Sequence, residues 1–154
     1  MNFSSQIVCF GELLVDMISA NNGNLAQSQG FLKKFGGAPA NTAVGLAKLG
    51  IPASFIGKVG NDLFGLFLKQ TLDDNRVDTT RLILSKREKT TLAFVSLTKS
   101  GERDFFFYKG AHEAISPPEV NLPNNIFLFH FGSLTQTNEI AKRARGTPRI
   151  VNRL

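Results

Sequence analysis

The chain has 154 residues, of which 42% are hydrophobic and 19% are charged. This composition is typical of one globular domain and excludes a disordered protein. No apolar run approaches the roughly 18 residues that cross a bilayer, and the first residues lack the cationic start of a secretory signal, so we expect no membrane partner. The net charge of +6 is uneven, because residues 139–154 hold five of the 18 basic residues and one acidic residue. A basic tail binds phosphates non-specifically, but no recognition motif accompanies it, so we expect no specific nucleic acid.

The single cysteine, Cys9, lies inside an apolar run. It cannot form an internal disulfide, and a small buried hydrophobic residue is its simplest interpretation. This favours a reducing compartment, and we expect a cytoplasmic location.

The first third of the chain predicts strand, strand and helix. We expect one buried strand over Ile7 to Ile18, interrupted by a kink at Gly11-Glu12, and a half-exposed strand over Gln29 to Phe35. A helix follows the glycine pair Gly36-Gly37 and ends at Gly50, since proline fits its first turn and glycine its end.

The rest of the chain alternates between strand and helix and then becomes rich in β-formers. Ala53 to Val59 predicts a strand, and Asp62 caps a second helix. This alternation favours an α/β fold with a parallel sheet and flanking helices, and the later β-rich segments favour a small separate sheet. The further strands are expected at Leu82 to Leu84, Thr91 to Thr98, Arg103 to Tyr108 (after a turn at residues 99–102) and Ile126 to Phe131.

The glycine turn is the first candidate binding element. Gly36 and Gly37 let backbone N–H groups approach a ligand, and the helix N-terminus favours oxygen-rich groups. Asn41, one turn along, can direct its amide to the same ligand. An ordinary turn before a helix remains the alternative, and no Gly-Lys-Ser/Thr of a Walker loop follows.

Asp16 is the second candidate, because it is a carboxylate closing an apolar strand, where ligands sit in open α/β sheets. One carboxylate accepts hydrogen bonds from two sugar hydroxyls. A solvated carboxylate at a strand end is the alternative.

The segment Arg103 to Lys109 is the third candidate. In a strand, Phe105, Phe107 and Lys109 share one face, and Phe106 and Tyr108 share the other. One face can close over a sugar while the other pairs with a partner, which allows a homodimer through this sheet. The alternative is a core strand. The two histidines have no cysteine or glutamate at ligand spacing, so we expect no metal site.

Together these segments resemble the PfkB/ribokinase family of carbohydrate kinases over roughly residues 6 to 138. Gly36 to Gly50 is similar to the family's N-terminal signature, which is long and specific. Three further segments resemble the first strand, the segment after the signature helix, and the core strand that follows the lid: Gly11 to Asp16, Gly57 to Gly65 and Phe129 to Leu134. Within the family, residues 101–111 look most like bacterial fructokinases. Lys109 and His112 stand where arginine and aspartate are usual, so 2-keto-3-deoxygluconate kinases remain an alternative.

The resemblance implies a ribokinase-like (Rossmann-like) parallel sheet with a small β-sheet lid, whose strands fall roughly within residues 17–35 and 82–110. It implies that Asp16, Gly36, Gly37 and Asn41 contact sugar hydroxyls, and that Arg103, Phe105 and Phe107 belong to the lid over the sugar. It also implies transfer of the ATP γ-phosphoryl group to a primary hydroxyl of fructose or a related sugar, with Mg²⁺.

The resemblance covers only the N-terminal half of such a kinase. The family's catalytic aspartate lies in a Gly-Ala-Gly-Asp segment of the C-terminal half, which this sequence lacks, and the nucleotide site belongs mainly to that half. We therefore expect residues 1–138 to form the N-terminal part of the kinase domain, inactive alone, and residues 139–154 to form a basic tail from a truncated or frameshifted reading frame. A short non-catalytic paralogue that binds sugar or a partner, and a phosphate-binding role for the tail, are the alternatives.

Overall fold

A computed structural model describes residues 5–21, 23–97 and 103–145, and the side chains of Leu97 and Arg103 lie outside the described part. The described chain contains eight strands, three α-helices and four short 3-10 turns. The strands are β1 (Gln6–Phe10), β2 (Leu14–Ser19), β3 (Phe31–Gly36), β4 (Ala53–Gly60), β5 (Leu82–Ser85), β6 (Leu92–Leu97), β7 (Arg103–Tyr108) and β8 (Ile126–Phe131); the helices are α1 (Ala38–Lys48), α2 (Leu63–Asp74) and α3 (Glu139–Ala144).

Four parallel strands form the core sheet in the order β5-β4-β1-β8. Its central strands are apolar runs buried on both faces, as expected where helices cover both sides of a parallel sheet. Helices α1 and α2 cover one face, where Ala43 and Leu72 pack against Phe55. Helix α3 and the segment before β8 cover the other, where Ala141 and Ile115 pack with β1 and β4. The parallel sheet with flanking helices is therefore confirmed.

The other four strands form a second sheet, the lid sheet, in the order β3-β2-β6-β7. Strand β2 pairs antiparallel with β3 and parallel with β6, and β6 pairs antiparallel with β7. The register places Asp16, Lys34, Ala93 and Phe107 side by side on one face. The expected small sheet exists, with its strands in the order given above.

Two strand expectations need correction. The single strand over Ile7 to Ile18 is two strands in different sheets, because the chain bends at Gly11, whose φ of +150° disfavours other residues. Asp16 consequently lies within β2 of the lid sheet and not at the end of a core strand. Leu82–Ser85, expected in the small sheet, pairs with β4 and extends the core sheet.

The C-terminal segment begins as part of the packed domain. Helix α3 is capped by Asn138, whose side chain accepts hydrogen bonds from the N–H groups of Ile140 and Ala141. Ala141 and Ala144 are fully buried, so the first residues of the expected tail belong to the core. Residues 146–154 and the expected turn at residues 99–102 lie outside the described residues. Within the described chain, no helix has the length and hydropathy to cross a membrane.

Candidate functional site

An open crevice of about 420 Å³ lies where the lid sheet meets the core. The lid contributes Leu14 and Phe107, the first turn of α1 contributes Ala38, and the 3-10 turn after β8 contributes the opposite wall. The full lining is Glu12, Leu14, Gly37, Ala38, Phe107, Ser133, Leu134 and Thr137. Two of the predicted site residues, Gly37 and Phe107, therefore share this crevice.

Asp16 occupies the same face of the lid sheet as Leu14 and Phe107. Its carboxylate is partly buried, and no hydrogen bond or ion pair reaches it from any residue that the structure describes. Burial raises the pKa of Asp16 above the usual value, since desolvation disfavours the charged form. Buried polar groups are normally hydrogen-bonded, so this carboxylate is available for donors from a ligand.

The two glycines have separate geometric roles. Gly36 is buried directly beneath Asp16, and a Cβ on Gly36 would collide with the carboxylate. Gly37 precedes α1 with a φ of +111°, and a Cβ there would collide with the carbonyl oxygen of Glu12. The first glycine thus makes room for Asp16, and the second lets the chain turn closely past the β1–β2 junction into α1.

The remaining predicted residues are less tightly grouped. Asn41 is exposed on α1, and its side chain makes no hydrogen bond to another described residue. The rings of Phe105 and Phe107 stack with centroids 6.2 Å apart, and Phe105 is 49% exposed. Phe105 extends the aromatic surface along the lid beyond the crevice. Arg103 lies in β7, but its side chain is outside the described part of the chain.

Sequence reasoning missed Glu12 and the segment Ser133 to Thr137 as parts of the site. Glu12 is only 2% exposed, and its carboxylate accepts four hydrogen bonds from Ser133 and Thr135. The signal in the sequence was an acidic residue inside an apolar run. A carboxylate that is buried in such a run requires hydrogen-bond or charge partners. Its partners are more than 120 residues away in the sequence, and no local pattern identifies them.

The lid is fastened to the core where the chain enters and leaves it. Before β6, the backbone N–H and hydroxyl of Thr90 donate to Asp62, which also caps α2. After β7, the N–H of Gly110 donates to the hydroxyl of Thr91, which also contacts His112 Nδ1 at 2.6 Å. These polar contacts attach the ends of the β6–β7 hairpin to the start of α2 and to the segment after β7.

Among the described residues, neither a cluster of metal-binding side chains nor a basic side chain marks the crevice. The described residues contain no group of three or more His, Cys, Asp or Glu side chains placed to hold a metal ion. The helix N-terminus at Gly37 has no lysine or arginine among the residues lining the crevice. We therefore place neither ATP nor Mg²⁺ on these residues.

The fold, with its lid sheet over the edge of a parallel core sheet, is a ribokinase-like α/β fold. A sugar kinase from Pyrococcus horikoshii, solved in complex with ATP, matches it with a TM-score of 0.85 and 34% identity over 90% of this chain and 47% of that one. A fructokinase from Vibrio cholerae, solved with fructose, ADP and calcium ion, matches with a TM-score of 0.78 and 29% identity over 94% of this chain and 46% of that one.

Sequence comparison also relates the chain to carbohydrate kinases. A probable chloroplastic fructokinase-6 from Arabidopsis thaliana is 42% identical over 146 residues, which are 92% of this chain and 38% of that protein. The model of the pfkB family of carbohydrate kinases matches residues 4–144. The chain belongs to this family, and it spans less than half the length of each of the three relatives named here.

Proposed function

We propose that this chain is the sugar-binding part of an ATP-dependent kinase that phosphorylates a primary hydroxyl of fructose or a related sugar. The observation that carries the proposal is the partly buried carboxylate of Asp16. It has no hydrogen-bond or ion-pair partner among the described residues, and it lies on the same face of the lid sheet as Leu14 and Phe107, which line the crevice. Fructose is favoured over 2-keto-3-deoxygluconate because the relatives named above include fructokinases, one of them solved with fructose.

The proposed binding mode assigns each group a physical task. Asp16, as an ionised carboxylate, is an acceptor only, and it accepts hydrogen bonds from two sugar hydroxyls. The N–H groups at the start of α1 face oxygen atoms of the sugar. Phe107 and Phe105 cover the apolar faces of the ring and exclude water. Asn41 and Arg103 are proposed to complete the hydrogen bonds from α1 and β7.

We further propose that the chain alone does not transfer a phosphoryl group. The sequence has no Gly-Ala-Gly-Asp segment, and the described residues contain no group of three or more His, Cys, Asp or Glu side chains placed to hold a metal ion. Phosphoryl transfer depends on positioned groups that stabilise charge and accept the proton of the hydroxyl, each contributing orders of magnitude in rate. ATP, Mg²⁺ and the catalytic base are proposed to be held by residues other than those described.

Binding of D-fructose to the purified chain tests the proposed site. We expect Asp16→Asn to weaken fructose binding by roughly ten- to several-hundred-fold, because hydrogen bonds to a charged group contribute about 1.5–3 kcal/mol each. Titration followed by NMR chemical shifts provides the measurement. Asp104→Asn is the matched control, since Asp104 lies on the opposite face of the lid sheet. Equal binding by the wild type and Asp16→Asn would contradict the proposed site.

A coupled assay for ADP tests the proposed inactivity. We expect no fructose-dependent ADP release from the chain. Turnover at an ordinary kinase rate of about 1–100 per second would contradict it.

We also propose that two copies associate through the outer face of the lid sheet. A pocket of about 480 Å³ on that face is lined by aromatic residues, and Phe106 and Tyr108 are 51% and 61% exposed. Exposed aromatic patches of this kind mark interaction sites. Light scattering is expected to give a dimer for the wild type and a monomer for Phe106→Lys. A monomeric wild type would contradict this proposal.

The environment of Cys9 supports a cytoplasmic location, which we propose. The thiol is fully buried, and burial raises the pKa of Cys9 to about 12. Such a thiol is unreactive at neutral pH and requires no oxidising compartment. Fractionation of cells that produce the protein tests this location.

A further inference from the structure

Glu12 is a buried charge whose hydrogen-bonding capacity is fully used. Its Oε1 accepts from the backbone N–H and hydroxyl of Ser133 at 3.2 and 3.1 Å, and its Oε2 accepts from the same groups of Thr135 at 3.1 and 3.0 Å. Burial raises the pKa of Glu12, but the hydrogen bonds from Thr135 and Ser133 outweigh it and hold the pKa below its usual value. The carboxylate is therefore ionised at neutral pH.

The donors belong to the segment that forms one wall of the crevice. Ser133 precedes the 3-10 turn Leu134–Thr137 and Thr135 lies within it. Ser133, Leu134 and Thr137 line the crevice. Without Glu12, the N–H groups of Ser133 and Thr135 would lose the partner that orders this turn. Thr135 is fully buried, so water cannot easily replace the carboxylate there.

The backbone of Glu12 fixes the opposite wall. A Cβ on Gly37 would collide with the carbonyl oxygen of Glu12, so the turn into α1 rests directly on this residue. Ala38, the next residue, lines the crevice. Glu12 thus contacts both walls, one through its backbone and the other through its side chain.

We propose that Glu12 is a positioning residue that sets the width of the crevice by holding the Ser133–Thr137 segment at a fixed distance from the Gly37 turn. The inference rests on the proposed function, because the crevice is taken to be the sugar pocket. Glu12 acts through Ser133 and Thr135, and the sugar is bound by other groups. Because binding groups must be held close to their productive geometry, a small shift of one wall weakens the ligand contacts of both.

Asp62 provides a matched control for a purely structural role. Its carboxylate also accepts four hydrogen bonds, from Phe64 N, Gly65 N, Thr90 N and Thr90 Oγ1, at 2.7–3.1 Å. It does not line the crevice. Asp62→Asn and Glu12→Gln are isosteric changes that each replace one acceptor oxygen by a donor, so both are expected to destabilise the fold.

The experiment compares three variants of the full chain at a temperature well below their unfolding midpoints. Backbone amide exchange of Ser133 and Thr135, measured by NMR, is expected to accelerate in Glu12→Gln and to stay near wild type in Asp62→Asn. Fructose affinity is expected to fall about tenfold in Glu12→Gln, by displacement of the wall. It is expected to stay within twofold of wild type in Asp62→Asn, since none of the residues that Asp62 contacts lines the crevice. Thr135→Val, which removes one hydroxyl donor but keeps the N–H, is expected to give a smaller loss of affinity.

The outcomes distinguish the positioning role of Glu12 from the proposed sugar-binding function. Faster exchange at Ser133 and Thr135 with unchanged fructose affinity would overturn the positioning role while leaving the proposed function intact. Equal loss of affinity in Glu12→Gln and Asp62→Asn would reduce Glu12 to a structural residue. If the wild type does not respond to fructose, the proposed site fails and the positioning role for sugar fails with it. Unchanged exchange in Glu12→Gln would overturn the contact itself.

Discussion

Aromatic side chains serve opposite purposes in the two central strands of the core sheet and in β7 of the lid sheet. Phe10 and Phe55 in the core sheet are fully buried, whereas Phe105, Phe106 and Tyr108 in the lid sheet are 49%, 51% and 61% exposed. The core aromatics pack against helices on both faces, and burying them supplies much of the stability of the domain. The lid aromatics contribute less to folding and remain available for other molecules.

Two carboxylates four residues apart show the same contrast. Glu12, at the junction with the core, has four hydrogen bonds and a lowered pKa. Asp16, in the lid, has no described partner and a raised pKa because of burial. The core satisfies its buried charge internally, whereas the charge in the lid has no partner among the described residues and is the group that we propose a ligand satisfies. The lid sheet thus gives up stability where the proposed sugar site lies.

Truncating one aromatic residue in each sheet gives the largest expected difference. We expect Phe10→Ala to lower the free energy of unfolding by about 3–5 kcal/mol, because it creates a cavity in the core. Phe106→Ala, on the exposed face of the lid, is expected to change it by less than about 1 kcal/mol. Urea denaturation followed by far-UV circular dichroism measures both. Similar losses of unfolding free energy for the two variants would contradict the described difference between core and lid aromatic residues.

A pair of helical glycines tests the tightness of the core. Gly65 in α2 packs against the end of β4, and a Cβ there would collide with the carbonyl oxygen of Gly60, whereas a Cβ on Gly45 in α1 would meet nothing within 4 Å. We expect Gly65→Ala to destabilise the protein by roughly 1–3 kcal/mol through overpacking. Gly45→Ala is expected to stabilise it by about 0.5–1 kcal/mol through helix propensity. Thermal unfolding measures both changes, and the same sign for the two would contradict the packing described.

The smallest expected effect is the opposite pH dependence of the two carboxylates. The raised pKa of Asp16 means that its ionised form destabilises the folded state at neutral pH, and this cost disappears as pH falls below the unfolded value of about 3.9. Asp16→Asn should therefore raise the unfolding temperature near pH 7. It should have no such effect near pH 3, which lies below the unfolded pKa of about 3.9.

Glu12→Gln should behave in the reverse way. The lowered pKa of Glu12 gives a stabilisation that is present above its unfolded pKa and is lost as pH falls through its folded pKa. The variant should lower the unfolding temperature near pH 7, and the difference should shrink at acidic pH, since the unfolded pKa is about 4.3. Calorimetry across this range measures both variants. Parallel pH profiles would show that the two environments do not differ as described.

The sequence predicted the layers of the fold better than the membership of strands in sheets. Buried apolar runs and the caps at Gly37 and Asp62 are local signals, and they located β1, β4, α1 and α2. Which sheet a strand joins depends on partners distant in sequence, so the assignment of residues 14–16 and 82–84 was wrong. The glycine turn predicted Gly37, which lines the crevice, and a carboxylate closing an apolar strand predicted Asp16. The site roles of both remain predictions. Glu12 was missed because its partners lie after β8.

The close packing of Gly36 beneath Asp16 constrains the order in which these positions can change during evolution. A side chain at position 36 would displace the carboxylate, so its effect depends on what occupies position 16. With aspartate there, alanine at position 36 would force the carboxylate to shift. After aspartate is replaced by a smaller residue, the same change becomes acceptable. Loss of the carboxylate would then be difficult to reverse, because restoring aspartate would require glycine to return first. A family member that abandons this ligand group is therefore expected to lose the glycine later, and the two positions should vary together among its descendants.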